Sequence, residues 1–267
     1  MMDRSAWAAR GVEIVHRDES LLVLCKPPGL PTTSPSAREA TLVKAAEALD
    51  PEAPNLHPSS RLDADVSGLV TFARTPQATR YLLDARERGE YRRAYVGLVS
   101  AAPKSAAQAA TYGVEGEEGL FDGPIGLDPR DARKRRVAER GDLNARPSST
   151  RYRVLARSPH AALLWLEPIT GRTHQLRVHL AHAGSPLLGD RPYGGLPRVV
   201  LDDGSAYAAR RVMLHCFALR LPALRAAGVD QPARAFERAP LEDLERLAAA
   251  AVGIDIRPLL AGALAAW

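Results

Sequence analysis

The chain has 267 residues, 46% of them hydrophobic and 25% charged, the composition of an ordinary globular protein, and it is long enough to fold without disulfides or metals. Cys25 and Cys216 are its two cysteines; they exclude a disulfide framework and a zinc-ribbon spacing, and suit a reducing compartment. The net charge is +5, no apolar run approaches the ~20 residues that cross a bilayer, and MMDRSAWAARG lacks the apolar stretch of a secretory signal, so a cytoplasmic protein without membrane contact is expected.

In chain order, GVEIVH (11–16) and LLVLC (21–25) read as strands around the turn RDES. KPPGLP follows as a rigid loop set by Pro27, Pro28 and Gly29. Ser36 and Glu39 have the spacing of a capping box ahead of an alanine-rich helix ending near Leu49. A Pro-rich stretch, DPEAPNLHPSS, leads into RLDADVSGLVTFAR, whose second half is a buried strand by its β-rich apolar run. Thr75 and Pro76 form an N-cap and first-turn pair for a helix to about Arg88, and YRRAYVGLV alternates as a strand. Residues 100–146 are rich in Gly, Pro and charge, and are expected to hold short strands and loops. STRYRVLA and ALLWLEP read as a hairpin turning at 157–160. TGRTHQLRVHLAHAG reads as a helix capped by Thr173, with Leu176, Leu180 and Ala183 on one apolar stripe and Gly184 as its stop. RRVMLHCFALRL is a late strand, followed by a C-terminal helical segment. Strands outnumber helices and many neighbours lack long crossovers, so the expected class is α+β with a mixed, largely antiparallel sheet.

The positive charge is uneven. RDARKRRVAER (130–140) sets six basic residues against Asp131 and Glu139, and RERGEYRR (86–93) sets four arginines against two glutamates. Clustered arginines suit phosphate oxygens, while 5% aromatic residues offer little to an extended base-stacking platform. The balance points to nucleic acid read by backbone and shape. No phosphate-binding loop, dinucleotide fingerprint or HExxH motif is present. His174, His179 and His182 do not share one helix face, and no acidic or cysteine ligand completes a set, so no metal site is expected. Asp63, where a polar loop meets a buried strand two residues after Arg61, reads by itself as a turn residue bonding its own backbone or as a carboxylate placed for chemistry, with Asp65 its rival.

SSRLDADVSGLVTFAR resembles the catalytic segment of RluA-type RNA pseudouridine synthases, whose pattern is HRLD-x-x-[TS]-SG before an apolar strand. TGRTHQLRVHLAHAGSPLLGDRPYG resembles that family's longest signature. VLCKPPGL resembles its N-terminal NKPAGL loop, YRRAYVGLV its K-x-Y strand and RRVMLHCFALRL its R-x-x-LHA segment. The five blocks occur in order between about Val12 and Leu221.

The resemblance implies a pseudouridine synthase fold, an α+β sheet flanked by helices around a central catalytic cleft, as a single catalytic domain over 11–267 after an extension of residues 1–10. It implies uridine isomerisation in ribosomal or transfer RNA without a cofactor, by a cytoplasmic monomer with structured RNA as its partner and no obligatory protein partner. It makes Asp63 the catalytic aspartate and Arg61 the residue that holds the place and phosphate of the flipped-out nucleotide. Tyr95 becomes the aromatic that packs on the target base and handles a proton, Arg177 the basic partner of the catalytic carboxylate, and Leu176 a wall of the uracil pocket.

The chemistry suits one carboxylate. The bond from nitrogen 1 to the ribose breaks, the base turns, and carbon 5 takes its place; a carboxylate serves either as nucleophile at the sugar or as base at ribose carbon 2. A nearby guanidinium keeps it ionised, and the target base must leave its stack. Ser60, Val66 and Cys216 stand where the family usually has His, Thr or Ser, and Ala; none removes a residue with a proposed chemical role, and the first two, flanking Asp63, bear on loop hydrogen bonding or substrate fit. With the first strand starting near residue 11, the small N-terminal RNA-binding domain of many relatives is expected to be absent. RNA would then be gripped by the catalytic domain itself, with Arg133, Lys134, Arg135 and Arg136 as candidates. The competing readings are a non-catalytic RNA-binding or RNA-folding factor on the same scaffold, and a glycosidase-like use of Asp63 with Asp65.

Overall fold

The computed structural model describes residues 3–53, 56–100, 118–139, 141–226 and 229–267; part of the 100–146 segment and Arg140 therefore lie outside the described residues. The chain divides into two compact units, residues 1–93 with 216–240, and residues 94–215 with 241–267.

The first unit starts with a short helix, α1 (Arg4–Ala9), capped by the Asp3 carboxylate on the amide of Ala6 at 2.8 Å and anchored by the buried Trp7. Strands β1 (Glu13–Arg17) and β2 (Leu21–Lys26) follow, antiparallel, with the turn between them closed by Asp18 accepting the amides of Ser20 and Leu21. Every residue of β2 is buried, as its continuous apolar run requires. Helix α2 (Leu42–Leu49) buries Leu42, Ala45, Ala46 and Leu49. Its cap is Thr41, which accepts the amide of Lys44. The Ser36–Glu39 capping box is corrected on this point: the Glu39 carboxylate bonds the Ser34 hydroxyl instead, because the apolar stripe begins only at Leu42. Two residues, β3 (His57–Pro58), pair with the fully buried β4 (Ser67–Ala73), which in turn runs antiparallel to β2. Helix α3 (Pro76–Glu87) has Thr75 as its cap and Pro76 in its first turn, as the sequence indicates.

The second unit is built on β5 (Arg92–Ser100), β6 (Glu118–Asp122), a separate hairpin of β7 (Ile125–Asp128) and β8 (Asp131–Val137), and the long pair β9 (Ser149–Arg157) and β10 (Ala161–Pro168). β5–β10, β10–β9 and β9–β6 are antiparallel, and the 149–168 hairpin turns where the sequence places it. Helix α4 (Gln175–His182) buries Leu176, Leu180 and, just past its end, Ala183; Gly184 follows at φ 78°. A small hairpin, β11 (Arg198–Val200) with β12 (Ala206–Ala208), closes this part.

The chain then returns to the first unit with β13 (Leu214–Leu221), a short hairpin of β14 (Leu224–Ala226) and β15 (Val229–Gln231), and β16 (Arg234–Glu237), which pairs antiparallel with β13. Two helices end the second unit: α5 (Glu242–Val252), with Glu242, Asp243 and Glu245 at its electropositive first turn and Gly253 at its stop, and α6 (Arg257–Ala266). The result is the α+β, largely antiparallel architecture expected. Among the described residues no single helix is long and apolar enough to cross a membrane.

Candidate active site

Asp63 sits in the loop between β3 and β4, partly exposed, with its carbonyl accepting the amide of Val66 to close a turn. The peptide groups on either side are held by the 26–32 loop. The Thr32 hydroxyl donates to the carbonyl of Leu62 at 2.9 Å and accepts its amide at 3.0 Å. The carbonyl of Ala64 accepts from Gly29 at 2.9 Å and from the Lys26 ammonium at 2.8 Å. Lys26 has no exposed surface, and its other bonds go to the carbonyls of Pro27 and Leu30. A buried ammonium is tolerable only when its protons are taken up, and here they join two loops. Four residues beyond Ala64, Gly68 has φ +117°, and a Cβ there would collide with the backbone of Cys216, so only glycine fits where β4 begins beside β13.

Two of the departures from the family pattern, Ser60 and Val66, have local explanations. Ser60 is buried, with its hydroxyl 3.3 Å from that of Tyr91, which also bonds Thr71 at 2.7 Å. Val66 is 3% exposed, so an aliphatic side chain suits the site. Arg61 is exposed, the condition for meeting a phosphate.

In the second unit Tyr95 is 4% exposed on β5, opposite Leu166 of β10. Leu176 and Arg177 are buried on α4. Arg177 forms a two-pronged pair with the fully buried Asp190, Nε to Oδ2 and Nη2 to Oδ1, both at 2.8 Å. Its guanidinium lies 4.9 Å from the ring centroid of Tyr193. The loop carrying these partners is tight: a Cβ on Gly195 would collide with the carbonyl of Leu187. Sequence reading missed both Asp190 and Tyr193, although each lies in the quoted GDRPYG stretch; an aspartate with glycine and proline close by is common in turns, and nothing local to the tyrosine names its partners.

Helix α4 starts differently from the expectation. Thr173 does not cap it; the N-cap is His174, at φ 58° and without a side-chain cap bond. The Gln175 amide does the joining instead, its oxygen accepting from Thr170 at 2.7 Å and the amide of Arg172 at 3.0 Å, its nitrogen donating to Ser149 and Thr150. His179 is equally occupied: Nδ1 pairs with the Thr150 hydroxyl and Nε2 with the carbonyl of Gly123, both at 3.0 Å, and burial holds its pKa below the ordinary value. Burial lowers His182 in the same direction.

The basic run forms the second strand of the β7–β8 hairpin. Its charges are not equivalent. Arg133 makes a two-pronged pair with Asp131 at 3.0 Å, which pulls that carboxyl down to about 2. Arg136 pairs with Asp142 at 3.0 Å. Arg135 donates to the carbonyls of Ala132 and Lys134, and among the described residues no carboxylate pairs with it.

The family model for RNA pseudouridylate synthases matches residues 20–182. The chain is 34% identical over 249 residues to ribosomal large subunit pseudouridine synthase D of Xanthomonas campestris, covering 90% of this chain and 69% of that protein. It is 39% identical over 175 residues to an uncharacterised RNA pseudouridine synthase of Chloroflexus aurantiacus, covering 63% and 50%. A synthase D of Haemophilus ducreyi is 32% identical, covering 79% and 62%. The chain thus spans about half to two thirds of the length of these relatives. Among solved structures, human RNA pseudouridylate synthase domain containing 4 matches over 92% of this chain and 95% of its own, with a TM-score of 0.66 and 24% identity, a likeness of fold.

Proposed function

The chain belongs to the RNA pseudouridylate synthase family, and from that premise we propose that it isomerises uridine to pseudouridine in RNA with Asp63 as the central catalytic group. The observation that carries this reading is the Asp63 loop. Thr32, Gly29 and Lys26 hold the peptide groups of Leu62 and Ala64, so the carboxylate enters the reaction from a fixed backbone. Such pre-orientation removes an entropic part of the barrier.

In this reading Asp63 acts on the ribose, either as nucleophile or as base. Arg61 engages the phosphate of the displaced nucleotide, Tyr95 packs on the target base, and Leu176 lines the uracil pocket. Arg177 is the basic partner of the catalytic carboxylate, its guanidinium oriented by Asp190. Arg133, Lys134, Arg135 and Arg136 grip the RNA backbone through the β7–β8 hairpin. The reaction needs no cofactor.

Relatives named for the large ribosomal subunit favour ribosomal over transfer RNA as substrate, and a cytoplasmic monomer without membrane or obligatory protein partner goes with that target. The test is pseudouridine mapping of total RNA from cells lacking the protein, complemented with wild type or Asp63→Ala. Sites that vanish and return only with wild type establish activity, catalytic group and target together. RNA binding by the purified protein without any pseudouridine formed on bulk RNA overturns the reading in favour of a non-catalytic RNA-binding factor.

A further inference from the structure

We propose that Tyr193 is the joint that couples the basic β7–β8 hairpin to Arg177, so that RNA backbone gripped by the hairpin is presented in fixed register with the guanidinium that the reading above assigns to the catalytic carboxylate. This rests on the RNA-modifying reading above and assigns Tyr193 a positioning role.

Three elements converge on this one side chain. The backbone amide of Arg135, in β8, donates to the Tyr193 hydroxyl at 2.9 Å. Nδ1 of His174, at the start of α4, lies 2.7 Å from the same hydroxyl, with the two rings edge to face. The Arg177 guanidinium lies over the Tyr193 ring at 4.9 Å while Asp190 holds its Nε and Nη2. A hydroxyl accepts twice and donates once, so it can serve the Arg135 amide and His174 together. Tyr193 itself is fixed in a single turn, its amide donating to the carbonyl of Asp190 at 3.0 Å with Gly194 at φ 84° closing it.

The anchor meets the hairpin where it matters. A two-stranded hairpin is marginal on its own, and its outer strand offers amides without ladder partners. The amide that Tyr193 takes belongs to Arg135, the residue beside Lys134 and between the carboxylate-paired Arg133 and Arg136. His174, at φ 58°, adopts a backbone region that a residue with a Cβ rarely enters. Strain of that kind persists where surrounding contacts over-determine it, and the bond to Tyr193 is one such contact.

The experiment compares wild type, Tyr193→Phe and Tyr193→Leu, using amide exchange, affinity for ribosomal RNA purified from cells lacking the protein, and turnover on that RNA. Loss of the hydroxyl, and with it the bonds to the Arg135 amide and to His174, predicts for Tyr193→Phe about tenfold faster exchange at Arg135 and about fivefold weaker RNA binding. KM rises with it, and kcat at saturating RNA falls less than twofold because the ring over Arg177 remains. Tyr193→Leu loses kcat as well. Exchange in β10 at 163–166 stays at the wild-type rate in both if the fold is intact, and Tyr193→Phe decides alone if the leucine variant unfolds. Unchanged Arg135 exchange and RNA affinity in Tyr193→Phe overturn the proposal, as does a fall in kcat with affinity unaltered. Should wild type bind RNA without forming pseudouridine, the activity reading fails, while exchange and affinity still decide the joint.

Discussion

The ammonium of Lys26 donates to the carbonyl of Ala64, 38 positions away in the chain, at 2.8 Å. With its bonds to Pro27 and Leu30 it turns the 26–32 loop into a clamp on the backbone beside Asp63. Lys26→Met keeps the length of the side chain and removes the donors, taking this partner from the carbonyls of Pro27 and Leu30 and leaving that of Ala64 with the Gly29 amide. The expected loss is about 1 to 3 kcal/mol of stability, chiefly from the buried Leu30 acceptor, read as a lower urea midpoint. Below that midpoint the folded variant is expected to turn over more slowly than wild type with unchanged RNA affinity.

Asp63→Asn preserves shape and removes the charge. The expected loss of turnover is about a thousandfold or more, the scale of removing a group that acts directly on the reacting atoms. RNA affinity stays within about threefold, because phosphate contacts dominate it. Single-turnover pseudouridine formation and a filter-binding titration on the same preparation separate the two. Turnover within tenfold of wild type removes Asp63 from the chemistry.

The hairpin charges divide by their partners. Lys134→Gln is expected to reduce the slope of log affinity against log salt by about 0.7 to 0.9, one released counterion. Arg133→Gln changes it less, because Asp131 already compensates that guanidinium at 3.0 Å. Equal slopes for both variants and wild type would assign the hairpin to solvent rather than RNA.

Stability at low pH is expected to follow Asp18. Burial raises its pKa, but His16, the amides of Leu21 and Ser20, and Arg234 outweigh burial and bring it from 3.8 to about 2. A carboxyl with a depressed folded-state pKa stabilises the fold above its unfolded value, and that contribution fades as the pH falls from about 4 toward 2. Asp18→Asn therefore lowers the urea midpoint at pH 7 and has little effect at pH 2. An equal effect at both pH values assigns the loss to packing rather than charge.

Local pattern made much of the fold legible. The β9–β10 hairpin and the Thr75–Pro76 helix start are properties of short segments: alternation, β-branched runs, and a hydroxyl next to a proline. The α1 helix escaped notice because six residues carry no helical period of their own; its Trp7 anchor and the Arg4 bond to the carbonyl of Leu49 are contacts made only after folding. The Ser36–Glu39 pair shows the converse, a correct local signal overruled because the buried stripe starts three residues later.

By itself the sequence determined the family, through five ordered blocks, and with it the choice of Asp63, Arg61, Tyr95, Leu176 and Arg177 as candidates. Tertiary structure alone decided what surrounds them. The carbonyls of Pro27, Leu30 and Ala64 meet the Lys26 ammonium, and Arg177 meets Asp190, only once the chain has folded. Tyr193 gains its part only from a strand amide 58 positions away. The physical reason is that a hydrogen bond or a buried charge pair is a relation between distant groups; a side chain's chemistry is written in its own residue, whereas its partner is set by the path of the chain between them.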